Sequence, residues 1–291
     1  MRTIKLVGAA ILSALFFTSC STVALTGRKQ LMLVSDSEVL SLSNQSYKAY
    51  MDSAKISTNT ANTEMVVRCG KRIASAVETY LKANGRAAEC ANFAWEFHLV
   101  QDKTANAFCM PGGKIVVNEG LLPYTQTEDA LAIVLGHEVA HAVAKHSQER
   151  MSKQLLASYG AQALGVLTSG KSAATQQIAQ QVYGLGANYG VMLPYSRSNE
   201  SEADHIGLIF AAMAGYDPDV ATGFWSRMAQ AGSSVPEFFS DHPSDASRIA
   251  NIKKELPEAE KYYAQYKATN TTTKSSTTTS KKKSKSRKSR K

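Results

Sequence analysis

AIVLGHEVAHAVAKH, residues 132–146, is an apolar run interrupted by His137, Glu138 and His141. Two histidines four residues apart lie one turn apart on an α-helix and project from the same face, so their ring nitrogens can converge on one metal ion. Glu138 is rotated about 100° from His137 around the helix. That is too far to ligate the same ion comfortably, yet near enough to take a proton from a water held on it. The spacing H-E-x-x-H thus describes a metal site with its own general base, and zinc suits it by lowering the pKa of a bound water to about 7. The plainer alternative is a helix on which three polar residues fall by chance. Only the metal reading demands more of the chain, because a catalytic zinc needs a third protein ligand and an open fourth position.

The best donor lies in YSRSNESEADHIG, residues 195–207. Glu200 and Asp204 are four apart and share a helix face, whereas Glu202 is rotated about 200° from Glu200. Glu200 is therefore expected to ligate zinc. Asp204, a turn along, is expected to accept a hydrogen bond from the far nitrogen of a ligating histidine. Glu202 is expected to face solvent. Of the other histidines, His146 lies half a turn around a continuous helix from His137 and reads as structural. His205 points elsewhere, and His98 reads as a packed strand residue. His242, in FSDHPSDASRI (residues 239–249), precedes a helix on a loop that can aim its side chain into a cleft. There it would serve as a donor to the transition-state oxyanion or as a reversible occupant of the open zinc position.

The surrounding pattern is mainly helical. SYKAYMDSA (46–54) and TEMVVRCGKRIASAVETYLKANG (63–85) carry apolar residues at three- and four-residue spacing, the second stopping at Asn84-Gly85. FAWEFHLVQD (93–102) and KIVVNEG (114–120) have strand length and character, with CMPGG (109–113) as the turn before the latter. Thr125, with Glu128 three residues later, forms a capping-box pattern opening the motif helix, which should continue past His146. NESEADHIGLIFAAMAGYD (199–217) is another helix, ended by Gly215 and Pro218. The pattern predicts an α+β fold, mainly helical, with a small β-sheet beside the active-site helix. Residues 155–193, rich in Ala, Gly, Gln and Ser, hold no 18-residue apolar run, and composition alone suggests a lid over the cleft.

The chain ends differ from the core. Residues 1–19 carry Arg2 and Lys5 ahead of an apolar stretch from Leu6 to Phe17, a secretory signal too short to span a bilayer comfortably. Thr18 and Ser19 before Cys20 resemble a bacterial lipobox, so Cys20 is expected to be acylated and to begin the mature chain. From Thr269 the sequence is polar and basic to Lys291, and 268–291 are expected to be disordered. Nine of the 33 basic residues lie at 274–291 and two in the signal, leaving 22 against 24 acidic residues. The pI near 9.3 therefore belongs to a tail. An exported basic tail suits anionic lipid or polysaccharide, and nucleic acid is not expected as a partner. The segments are thus 1–19 signal, 20–60 lipidated N-terminal segment, 61–267 catalytic domain and 268–291 tail. Cys69, Cys90 and Cys109 leave open which two, if any, pair.

LGHEVAHAVAKHSQERMS (135–152), LPYSRSNESEADHIGL (193–208) and HPSDASRI (242–249), in that order, resemble the HtpX/CAAX-prenyl-endopeptidase family of zinc metallopeptidases, which are gluzincins. TGRKQLMLVS (26–35) and ANAFCMPGGKIVVNEGLL (105–122) resemble its periplasmic lipoprotein branch. The resemblance implies a zincin-like domain with one Zn2+ per chain, His137, His141 and Glu200 as ligands, Glu138 as base and Asp204 in support. It further implies that Asn106 and the strand beginning Gly113, Lys114, Ile115, Val116 line the cleft. An extended substrate would pair with that strand's edge. The expected protein is a zinc endopeptidase of the bacterial envelope, lipid-anchored, placed at the outer membrane facing the periplasm, removing misfolded or stalled exported proteins. The rival is a non-catalytic assembly factor or chaperone with a structural or occluded zinc. An intact Glu138 argues against that rival, since a structural site has no use for a base.

Overall fold

The computed structural model describes residues 20–160, 196–232, 242 and 247–288. The signal segment and nearly all of the stretch expected to form a lid lie outside the described residues, as does the side chain of Cys20.

The motif helix, α3 (Glu128–Val143), runs through the middle of the domain, and its residues from Ala130 to His141 are buried on every face. Leu131 and Leu135 are fully buried beside Phe210, Phe224 and Ile73. Burial of such side chains contributes roughly 1.5–3 kcal/mol each, so the polar motif sits in the most strongly held part of the core. Two neighbours fix α3: α2 (Thr60–Ala83) on one side and α5 (Arg197–Met213) on another. The contact with α5 is backbone to backbone. A Cβ on Gly136 would lie 2.5 Å from the Gly207 carbonyl oxygen, so the two helices cross where neither carries a side chain.

The α3 start differs from expectation by two residues. Thr125 closes a one-turn helix (Leu122–Thr125), and Thr127 is the N-cap, its hydroxyl accepting from Ala130 N at 3.2 Å. The α3 end differs more. The helix does not pass His146 but stops at Val143, and Lys145 takes φ +57° before α4 (His146–Gly160) begins in a new direction. The lysine Nζ bonds both carboxylate oxygens of Asp36, at 2.9 and 2.7 Å, which holds the break in place.

A three-stranded sheet covers α3, with β3 (Glu96–Val100), β4 (Ala107–Met110) and β5 (Lys114–Asn118) in the order β3-β5-β4. β3 pairs parallel to β5, Glu96 opposite Lys114, and β4 pairs antiparallel, Cys109 opposite Ile115. β5 is thus the central strand, which corrects the expected edge. The backbones of Lys114, Ile115 and Val116 are paired on both sides, and Gly113 packs under the Trp95 ring at φ +81°. The edge beside α3 belongs to β4. His98, in β3, is about one-third exposed rather than packed in the core.

Residues 20–60 are built into the domain. β1 (Cys20–Thr22) and β2 (Lys29–Leu31) form an antiparallel pair, followed by α1 (Asp36–Met51). Val23, Ala24 and Val34 are buried, Gln148 donates to Val34 O, and Leu33 N donates to Ser152 Oγ. α6 (Val220–Ala231) packs on α3, and α7 (Arg248–Lys288) packs on α5 through Ile252 and Ala259. α7 is continuous to Lys288, where the composition led to an expectation of disorder from 268. Cys69, Cys90 and Cys109 form no disulfide with one another. No helix among the described residues is long and apolar enough to cross a membrane.

Candidate active site

His137 and His141 leave one face of α3 and meet Glu200 from α5, with His242 closing the group; all four are buried. His137 Nε2 lies 3.1 Å from His141 Nε2 and 3.3 Å from Glu200 Oε2, and His141 Nε2 lies 3.4 Å from Glu200 Oε1. His242 Nδ1 stands 3.2 Å from His137 Nε2 and 3.4 Å from Glu200 Oε2. Tetrahedral ligands at about 2.0–2.1 Å from zinc are separated by roughly 3.3–3.4 Å, so these donors surround a point at the right size. Both Glu200 oxygens are buried without a well-formed hydrogen bond, which a cation at that point would remedy. The donor set fits zinc: two imidazoles and a carboxylate, with a third imidazole in the fourth position.

Each α3 histidine is oriented from behind. His137 Nδ1 lies 2.9 Å from Asp204 Oδ1, the partner expected from the helix spacing. Asp204 is in turn gripped by Arg248, whose Nε and Nη2 donate to its two oxygens at 2.8 and 2.7 Å. Arg248 stacks on the Trp225 ring at 3.3 Å, and that ring packs against His137. Arg248 sits in a segment whose sequence drew notice for His242, and a basic residue near an acidic helix was the only available signal. Trp225 had none.

His141 is held differently. Its Nδ1 lies 2.9 Å from His146 Nδ1, and His146 Nε2 lies 2.9 Å from Glu202 Oε2. Glu202 is buried against α4 and the β1–β2 turn, not solvent-facing as the helical wheel implied. The wheel placed it correctly on the side of α5 away from Glu200. What it lacked was the break at Lys145, which turns His146 back between the two helices.

Burial opposes charge throughout the site, and the partners decide which groups carry it. It works against a charged His137, yet the Asp204 and Glu200 carboxylates outweigh it and raise that histidine to about 9. For His141 and His146 desolvation wins, and both are held below the usual histidine range. Glu200 is driven down despite burial, by His242, His137 and His141, and Asp204 likewise by Arg248 and His137. His242 is raised, against desolvation, by Glu138 and Glu200. Its Nε2 is 3.3 Å from Glu138 Oε1, so it touches the general-base candidate as well as the donor cluster. Cys109 on β4 is pushed up by burial and by Glu138, which keeps the thiol neutral and unreactive.

The other residues singled out from the sequence make contacts of their own. His205 faces Glu258 at 3.8 Å. The Lys114 Nζ donates to Ala94 O and Glu96, and Ile115 and Val116 are core residues. Asn106 caps the start of β4 by accepting from Ala107 N.

The family model for peptidase family M48 matches residues 70–256. The chain is 41% identical over 169 residues to the mitochondrial metalloendopeptidase OMA1 of Schizosaccharomyces pombe, covering 57% of this chain and 48% of that one. It is 29% identical over 260 residues to human OMA1, covering 84% and 48%. With the beta-barrel assembly-enhancing protease of Yersinia pestis it shares 33% identity over 184 residues, 57% of this chain and 36% of the relative. The chain therefore spans about half the length, or less, of these curated relatives. The extent of the family match and the donor cluster inside it lead to one conclusion: the chain belongs to peptidase family M48.

Proposed function

We propose that this protein is a zinc-dependent endopeptidase acting on unfolded segments of envelope proteins, with His137, His141 and Glu200 as ligands and Glu138 as base. The observation that carries the reading is Glu138 itself, a buried carboxylate beside the three donors that is not one of them. Zinc held there supplies a Lewis acid that acidifies water and polarises a scissile carbonyl. Glu138 takes the proton of the attacking water on its carboxylate and returns it to the leaving amine. Asp204, fixed by Arg248, keeps the proton of His137 on Nδ1 and so leaves Nε2 for the metal. An extended peptide pairs with the outer edge of β4, bringing its backbone across the start of the site.

His242 would take the fourth position on a zinc held by His137, His141 and Glu200, and it contacts Glu138, an arrangement that would keep the enzyme latent. It must withdraw before substrate enters, and it can then donate to the oxyanion. This contact is also the specific observation favouring the second reading, an assembly factor whose zinc stays occluded. Incubating the purified protein with unfolded casein, with and without a chelator, separates the two. Chelator-sensitive cleavage is expected, and none in zinc-loaded protein would favour the second.

Placement at the envelope rests on the signal pattern and the lipobox at Cys20, which would make the protein a lipid-anchored member facing the periplasm at the outer membrane. The name of the Yersinia relative, which refers to β-barrel assembly, supports envelope proteins as substrates. Mature protein should begin at acylated Cys20 and sediment with membranes, and Cys20→Ala should release it or block its processing. Whether it stands closest to the HtpX/CAAX-prenyl endopeptidases within the family belongs to the same proposal.

A further inference from the structure

The two ligand histidines are supported by chains of the same kind, one short and one long. The short chain is His137–Asp204–Arg248. The long one starts at His141 Nδ1 and passes through both nitrogens of His146 to Glu202 Oε2. Glu202 does not end it. Its Oε1 accepts from Thr26 Oγ1 at 2.5 Å, and its Oε2 accepts from Arg28 Nε at 2.8 Å. Arg28 is itself fixed by a two-pronged bond to Glu149 on α4, Nη1 to Oε1 at 3.0 Å and Nη2 to Oε2 at 2.8 Å. Thr26 and Arg28 belong to the turn between β1 and β2, closed by Val23 N to Arg28 O and Gly27 N to Val23 O. That turn lies outside the residues matched by the family model.

The chemistry of the chain has one consistent direction. A carboxylate only accepts, so His146 must present Nε2–H to Glu202. A neutral imidazole with its proton on Nε2 has a lone pair on Nδ1, which accepts from His141 Nδ1–H. His141 is then left with its lone pair on Nε2, the nitrogen that faces Glu200 and His137. Without Arg28 and Thr26, Glu202 would be a buried carboxylate with one imidazole for company, a costly arrangement that favours rotation of His146 or entry of water.

We propose that Arg28 is a positioning residue of the metal site: by fixing Glu202 and, through it, His146, it sets the tautomer and aim of His141. The inference rests on His141 being a zinc ligand, as proposed above. It makes the N-terminal turn part of the metal centre. If Cys20 is lipid-anchored, seven residues of chain separate the anchored cysteine from a group that tunes zinc.

Partners that orient a ligand from behind typically alter metal affinity 10- to 100-fold when removed. The test is the rate at which zinc-loaded full-length protein gives up zinc to a chromogenic chelator, with the unfolding temperature of the metal-free protein measured alongside. Arg28→Met and Glu202→Gln should each speed release at least tenfold, and the double variant should be no faster than the quicker single one, since both cut one chain. Arg28→Lys keeps charge but cannot serve both carboxylates, so its rate should fall between. Arg86→Met loosens the same N-terminal segment at Thr22 O without touching the chain, and should leave the rate unchanged.

Release from folded Arg28→Met at the wild-type rate overturns the proposal, and so does equal acceleration in Arg86→Met. If Arg28→Met does not fold, Arg28→Lys and Glu202→Gln decide alone, and unchanged release in both overturns it. His141→Ala separates the two readings. Zinc held normally by that variant overturns the ligand assignment and the proposal with it. Zinc lost there but held normally in Arg28→Met overturns the Arg28 role only.

Discussion

Gly207 of α5 lies so close to His137 that a Cβ on the glycine would stand 2.6 Å from the histidine's backbone nitrogen. Seven residues before Gly207 comes Glu200, and the crossing sets how far that carboxylate stands from the α3 imidazoles. Gly207→Ala must push the helices apart by a few tenths of an ångström or more, a distortion that overpacking places at about 1–3 kcal/mol. Lower zinc content and a lower unfolding temperature are expected together, by metal analysis and calorimetry. A substitution such as Gly85→Ala, with open space around it but a φ of +73°, should lower stability while the folded protein keeps its zinc.

Glu138 and Glu200 should separate base from ligand. Glu138→Gln keeps shape and removes the proton acceptor, so zinc should stay near one per chain while cleavage falls by two to four orders of magnitude. Glu200→Gln should lose zinc and activity together. Metal analysis beside turnover of an unfolded substrate checks both, and full activity in zinc-loaded Glu138→Gln would end the catalytic reading.

His242→Ala removes the fourth donor and the group against Glu138 Oε1. Three ligands remain, so zinc should still bind. If His242 is the latch, cleavage of an unfolded peptide should rise several-fold, and zinc should exchange faster. Loss of cleavage with zinc retained would instead assign His242 to oxyanion stabilisation.

Glu255, on α7, is raised to about 7 by burial and by the nearby charges of Asp204 and Glu258, and its Oε2 is buried without a hydrogen bond. A carboxyl with a raised folded-state pKa favours folding while protonated. Its contribution is fully present below about 4.5 and is lost as pH climbs through about 7. Glu255→Gln should therefore raise the unfolding temperature at pH 8 and leave it nearly unchanged at pH 4. Thermal unfolding across that range is the measurement, and an equal shift at both pH values would contradict the sign.

Truncation after Lys267 should spare the domain. Tyr266, whose ring packs on Gly215 and whose hydroxyl meets Arg72 at 3.5 Å, is retained. Unfolding temperature and zinc content should match the full chain, while salt-sensitive binding to vesicles containing anionic lipid should disappear. A truncated protein that lost zinc would show that the tail packs on the core.

The sequence alone determined what depends on local spacing. Helical periodicity put His137 and His141 on one face, placed Glu138 beside them and paired Glu200 with Asp204. The tertiary structure decided everything that hangs on where a helix stops and which elements cross. Lys145 at positive φ is held by Asp36, 109 residues earlier in the chain, and it turns His146 from a bystander on a continuous helix into the support of His141. The same turn buries Glu202, which a wheel drawn on an isolated helix sends to solvent. β5 reads as a strand from its composition, but its central place in the sheet follows from the pairing of segments that its own residues do not name. Arg28 and Arg248 were hidden for a like reason. A guanidinium reaches a buried carboxylate through folding contacts that carry no local period, so no spacing along the chain announces them.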